Sequence, residues 1–243
     1  MKLATAALLG LISTTVSLSS PSAASAETTA TKKSEKPKAA PSVAQIHYAT
    51  RVQSFREQNY VFANVVLLGD SITEGFDVAK YFPGRRVINR GIGSDVIGNN
   101  LPDDDKRGVT RRLNESVFDC APTQLFIMIG INDLAQGHTP EIVEAGYREM
   151  VTKIRERLPL LPIHLQSVLP TRGKLTNLNP NIVDTNARIQ KLAAEFHCDY
   201  IDLHSKMKDG NGELREEITR DGVHLTEPAY KIWKDIILDK LQW

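Results

Sequence analysis

Short apolar blocks punctuate the chain, and between them apolar residues recur at helical spacing. Five blocks read as strands: Val65 to Leu68 ending in Gly69, "RRVINRG" ending near Asn89, Gln124 to Ile129 ending in Gly130, "PIHLQSVLP" and "CDYIDLH". The intervening stretches read as helices. "TPEIVEAGYREMVTKIRERL" opens with Thr139 as a cap and Pro140 in the first turn. Its Ile142, Val143, Tyr147, Met150, Val151 and Ile154 fall on one face. "NIVDTNARIQKLAAEF" and "EPAYKIWKDIILDKL" keep the same period, and a further helix, Val43 to Gln58, precedes the first strand and is expected to pack on the outside. Near-continuous apolar strands alternating with amphipathic helices predict an α/β protein: a five-stranded parallel sheet between two helical layers. "GNNLPDDDKR", residues 98–107, has no period and reads as an inserted surface loop.

The first 44 residues break this pattern. "MKLATAALLGLISTTVSLSSPSAASA" has an early lysine, a broken apolar stretch and then Ala24-Ser25-Ala26, which fits a signal peptide (1–26) cleaved near Ala26. Residues 27–44, rich in Lys, Thr, Pro and Ala, read as a disordered linker to a domain at 45–243. The expectation is a secreted or periplasmic protein with no stable membrane insertion. No cysteine near the cleavage site offers a lipid attachment point.

Composition adds little beyond exclusions. Of 243 residues, 41% are hydrophobic and 24% charged, with a net charge of +1, which leaves no basic stripe for nucleic acid. The two cysteines, Cys120 and Cys198, precede strands expected to be separated by another, so two buried thiols are the expected state rather than a disulfide.

In sheets of this kind ligands bind at the carboxyl ends of the strands. "GDSIT", "NRGIGSD" and "GIND" follow the first three strands there, and "DGVHLT" precedes the last helix. Ser71 in "GDSIT" is either a helix cap or a nucleophile, and a serine nucleophile needs a base held by a carboxylate. Of the six histidines, His164 sits within a strand, His47 and His197 on or at the ends of helices, and His204 lacks a carboxylate at a telling spacing. His138 follows Asp133 in a loop. His224 differs, because Asp221 precedes it by three residues in a Gly-containing turn and an i, i+3 pair can share one face. Acyl transfer also needs donors for the developing oxyanion. The Ser71 backbone N–H, the Asn132 side-chain amide and backbone N–H groups of "NRGIGSD" are candidates, with Gly91 and Gly93 free to take unusual φ. "NRGIGSD" is not a dinucleotide fingerprint, since position 96 is Val.

Taken together, the four segments resemble the signature blocks of the SGNH, or GDSL-type, serine hydrolase family, from about Val61 to the end of the chain. The resemblance implies a flavodoxin-like three-layer α/β/α sandwich and a serine ester hydrolase acting through an acyl-enzyme without metal or organic cofactor. It implies Ser71 as nucleophile and Asp221 and His224 as its partners. The implied oxyanion donors are Ser71, Asn132 and a residue of the second block. That block usually has Gly before its Asp. Here the position is Ser94, so Ser94 or, alternatively, Gly93 is the expected donor. The α/β-hydrolase alternative requires G-x-S-x-G, which is absent.

The expected substrate is a small-molecule or carbohydrate ester, with an acetyl group on a sugar preferred. The alternatives are a lysophospholipase or short-chain lipid or thioester hydrolase, and a non-catalytic carbohydrate-binding protein. A metal-dependent phosphoesterase would need an early Asp-x-His and further ligands, which the sequence does not offer. Oligomeric state is not legible.

Overall fold

The computed structural model describes residues 40–59, 65–102 and 105–241. The expected signal peptide and most of the linker, residues 1–39, lie outside them. Five strands form one parallel sheet: β1 (Val65–Gly69), β2 (Val87–Gly91), β3 (Gln124–Met128), β4 (Ile163–Gln166) and β5 (Asp199–Ile201). Their order is β2-β1-β3-β4-β5, the flavodoxin-like order. β1 and β3 are buried at every position, which explains their unbroken apolar runs.

The helices are α1 (Val43–Gln58), α2 (Ser71–Glu74), α3 (Val78–Tyr81), α4 (Leu113–Ser116), α5 (Ile131–Ala135), α6 (Pro140–Arg157), α7 (Asn179–Glu195), α8 (His204–Met207) and α9 (Glu227–Leu238). On α6 the predicted face buries Val143, Tyr147, Met150, Val151 and Ile154, while Ile142 is half-buried. α1 spans the expected Val43 to Gln58, and Ser42 and Gln45 open it with a reciprocal capping box. Its Tyr48, Val52 and Phe55 pack with Ile92 as a small cluster separate from the main core. The guanidinium groups of Arg51 and Arg90 lie 4.9 and 4.6 Å from the Phe55 ring centre.

Two strand ends differ from the sequence reading. β2 continues to Gly91 rather than stopping near Asn89, because Arg90 and Gly91 are still paired with Leu68 and Gly69. β3 stops at Met128, one residue before the expected end at Ile129. Cys120 and Cys198 are not joined in a disulfide, and β4 lies between the strands they precede. Among the described residues no helix is long and apolar enough to cross a membrane.

Register sets up the site. Gly69 is paired with Gly91 on one side and Met128 on the other. The segments after β1, β2 and β3 therefore leave the sheet from one line at its carboxyl edge.

Candidate active site

At the end of β1 the chain turns abruptly into α2. Gly69 permits this turn: a Cβ there would lie 2.2 Å from Thr73 Oγ1 and 2.3 Å from Met128 O. Asp70 caps α2 by accepting a hydrogen bond from Ile72 N at 2.9 Å, and it is fully buried. Burial pushes its pKa up to about 7, against the pull of that backbone hydrogen bond. Ser71 is left half-buried at the first helical position, with its hydroxyl 2.9 Å from His224 Nε2.

His224 and Asp221 sit in a tight turn before α9. The Asp221 carboxylate accepts from Val223 N (3.0 Å) and His224 N (2.8 Å) through Oδ1, and it meets His224 Nδ1 at 2.7 Å through Oδ2. Burial is the largest single influence on the Asp221 pKa, and it raises it. The hydrogen bonds from the His224 side chain and backbone outweigh it and bring the pKa down to about 2. An ionised carboxylate only accepts, so His224 carries its proton on Nδ1 and presents a lone pair on Nε2 to the Ser71 hydroxyl. The turn depends on Gly222, whose φ is +92° and where a Cβ would lie 2.2 Å from Arg172 O. Gly222 O in turn accepts from Arg172 N at 2.8 Å, tying the turn to the segment after β4. α9 is fastened to α2 from the other side: Tyr230 donates its hydroxyl to Ile72 O at 2.9 Å. Trp233 donates to Gln166 Oε1 at 2.6 Å.

Asn132 is the second residue of α5, which opens after Gly130 takes a φ of +128°. Its side-chain amide donates to Asp95 O at 2.8 Å, which joins the "GIND" and "NRGIGSD" segments directly. Within the latter, the expectation that glycines take the unusual φ is not met. Gly91 and Gly93 have ordinary φ, and Ser94 is the left-handed residue, with φ +60°. Gly91 is needed instead for close approach, since a Cβ there would lie 2.2 Å from Glu74 N. The Gly93 N–H donates to Glu74 Oε2 at 2.5 Å, so this alternative oxyanion donor is committed elsewhere. The backbone N–H groups of Ser71 and Ser94 have no hydrogen-bond partner among the described residues.

A left-handed serine costs about 1–2 kcal/mol and persists only where its surroundings over-determine it. Here they do. Arg107, from the inserted loop, donates to Ser94 O at 3.1 Å. Asp95 accepts from Gly108 N (2.8 Å) and Val96 N (3.0 Å) and pairs with the buried Arg112 at 2.8 Å. Arg112 also donates to Gly69 O and Arg90 O, so a single side chain ties the ends of β1 and β2 to the loop. The inserted loop closes at its neck, where a Cβ on Gly98 would lie 2.7 Å from Gly108 Cα.

The other histidines fall elsewhere. His164 is buried in β4 between Gln124 and Asp199, and His204 is buried with its backbone N–H bonded to Ser167. His138 lies 3.6 Å from Asp133, whose pKa burial pushes up to about 7. His47, expected merely to be exposed, bonds Glu74 at 3.1 Å. Sequence reading also missed Arg112, Arg107, Glu74 and Tyr230. None carries a local signal, because each acts on a backbone atom distant in the chain.

Residues 67–232 match the GDSL-like Lipase/Acylhydrolase family. The chain belongs to this family. Among solved structures, a GDSL-like lipase from Bacteroides thetaiotaomicron superposes with a TM-score of 0.67 at 23% identity, covering 78% of this chain and 96% of that one. An acetyl-xylooligosaccharide esterase from Geobacillus Stearmophilus superposes with a TM-score of 0.57 at 19% identity, covering 75% of this chain and 96% of that one. At these identities the likeness concerns the fold. An N-acylneuraminate cytidylyltransferase of Streptococcus agalactiae is 24% identical over 168 residues, 69% of this chain. The chain matches only 36% of that relative's length.

Proposed function

We propose that the protein is an exported serine esterase that removes small acyl groups, acetyl in particular, from a carbohydrate. The observation that carries the chemistry is the continuous chain from Ser71 Oγ to His224 Nε2 (2.9 Å) and from His224 Nδ1 to Asp221 (2.7 Å). In this reading His224 takes the hydroxyl proton as Ser71 attacks the ester carbonyl carbon, and Asp221 stabilises the imidazolium. The N–H groups of Ser71 and Ser94 and the Asn132 amide receive the oxyanion. The imidazolium then protonates the departing alcohol, and water, activated by the same His224, releases the acid from Ser71. No step in this sequence calls on a metal or organic cofactor.

Two of the similar proteins bear sugar-related names, an acetyl-xylooligosaccharide esterase and an N-acylneuraminate cytidylyltransferase, and these favour a carbohydrate ester over a lipid. Export rests on the first 26 residues alone. The test is a panel of acetylated sugars, p-nitrophenyl esters and lysophospholipids, run with wild type and Ser71→Ala. Deacetylation that falls by about 10⁴-fold or more in Ser71→Ala is expected. Unchanged hydrolysis by Ser71→Ala refutes the serine mechanism, and preference for long acyl chains refutes the carbohydrate assignment.

A further inference from the structure

Glu74 has no part in the Ser71–His224–Asp221 chain, yet it is the third residue after Ser71 on the single turn of α2. Its carboxylate meets the Gly93 N–H and the side chains of His47 and Arg51. Oε2 accepts from Gly93 N at 2.5 Å and lies 3.1 Å from His47 Nε2, and Oε1 lies 3.2 Å from Arg51 Nε. Arg51 also donates to Gly91 O at 2.9 Å. Both ends of the Gly91–Gly93 segment are therefore held by this one cluster. His47 and Arg51 belong to α1, which precedes the segment matched to the family, residues 67–232.

We propose that Glu74, braced by His47 and Arg51 of α1, is a positioning residue that aims the Ser94 N–H at the oxyanion; this rests on the serine esterase reading above. The reasoning is geometric. By taking the Gly93 N–H, the Glu74 carboxylate fixes the orientation of the peptide plane just before Gly93. Ser94 then enters at φ +60°, and Arg107 holds its carbonyl from the other side. The peptide between Gly93 and Ser94, which carries the donor, is pinned between these two contacts. Because Glu74 and Ser71 share one helical turn, the loop is positioned directly against the element that carries the nucleophile. Charge-assisted acceptors hold a backbone N–H more firmly than neutral ones, which suits a donor loop that carries strain. α1 is in this view part of the active-site support, not an appendage packed on the outside.

The experiment compares wild type, Glu74→Ala, Glu74→Gln and the double variant His47→Ala/Arg51→Ala. Active sites are titrated with a fluorophosphonate, and kcat and KM for p-nitrophenyl acetate are expressed per titrated site. Glu74→Ala is expected to lose about 10–100-fold in kcat with KM changed by about twofold or less, the size of a misaimed rather than missing donor. Glu74→Gln keeps an oxygen for Gly93 N and is expected to recover most of the loss. The double variant, which keeps Glu74 but frees it, is expected to lose about 3–10-fold by the same argument, and it stands in if Glu74→Ala does not fold. The proposal is overturned if kcat per titrated site is unchanged in Glu74→Ala, if the loss lies only in Tm and titrated fraction, or if Glu74→Gln is no better than Glu74→Ala. An active Ser71→Ala variant would instead overturn the serine reading, whatever Glu74 does.

Discussion

Asp70 is the most buried charge-bearing group next to the candidate nucleophile, and Asp70→Asn isolates what that burial costs. Asp70 is 1% exposed, and its carboxyl group accepts from Ile72 N. Burial carries its pKa from 3.8 to about 7. Between those values the unfolded chain has released a proton that the folded protein still holds, so stability falls as pH rises through the window. A shift of that size has a ceiling of about 4 kcal/mol, at about 1.4 kcal/mol per pKa unit. Relaxation and a realistic interior dielectric bring the expected value to about 1–3 kcal/mol. The amide of Asn keeps the acceptor for Ile72 N and cannot ionise. Urea unfolding should therefore find the two proteins within about 0.5 kcal/mol of each other near pH 4, and Asp70→Asn more stable by about 1–3 kcal/mol near pH 8. Asp133 also has its pKa pushed up to about 7 and titrates in the same window, so the wild-type curve alone does not suffice. The difference between variant and wild type at each pH removes that common part. A difference that stays flat from pH 4 to 8 would show that burial leaves the Asp70 pKa unshifted, a variant less stable at the alkaline end would show that the site stabilises the anion, and either would refute the reasoning.

Two further substitutions probe the site from other directions. Asn132→Ala removes an amide donor and the bond to Asp95 O, and kcat is expected to fall by about 10²–10³-fold with a smaller change in KM; a loss confined to KM would place the amide in substrate binding instead. Gly222→Ala forces a Cβ into a residue with φ +92° and onto Arg172 O, 2.2 Å away. It is expected to cost about 1–3 kcal/mol in urea unfolding and to lower kcat by displacing the Asp221–His224 turn; full activity and stability would mean the turn relaxes freely.

The strands, the long helices and the order of the four chemical segments were legible in the sequence, because period and turn chemistry are properties of neighbours in the chain. Asp221 and His224 were legible as a pair for the same reason, since their contact spans three residues. α1 runs over the residues its pattern predicted, Val43 to Gln58, and the Ser42–Gln45 capping box fixes its start. β2 ran past its expected end because pairing with β1 outlasts the apolar run that signals it.

By itself, then, the sequence determined which segments line the carboxyl edge of the sheet and which residue types they bring. Only the tertiary structure decided how these segments meet. The Ser71–His224 contact joins groups 153 residues apart, and its 2.9 Å separation depends on strand register and on the Gly222–Arg172 approach. The left-handed φ of Ser94 and the commitment of the Gly93 N–H to Glu74 arise from Arg107, Asp95, Arg112 and α1 closing around one loop. The raised pKa of Asp70 comes from burial by many residues at once. Such effects belong to the packed ensemble of elements. Local pattern specifies each element, while distance, strain and desolvation exist only after the elements are assembled.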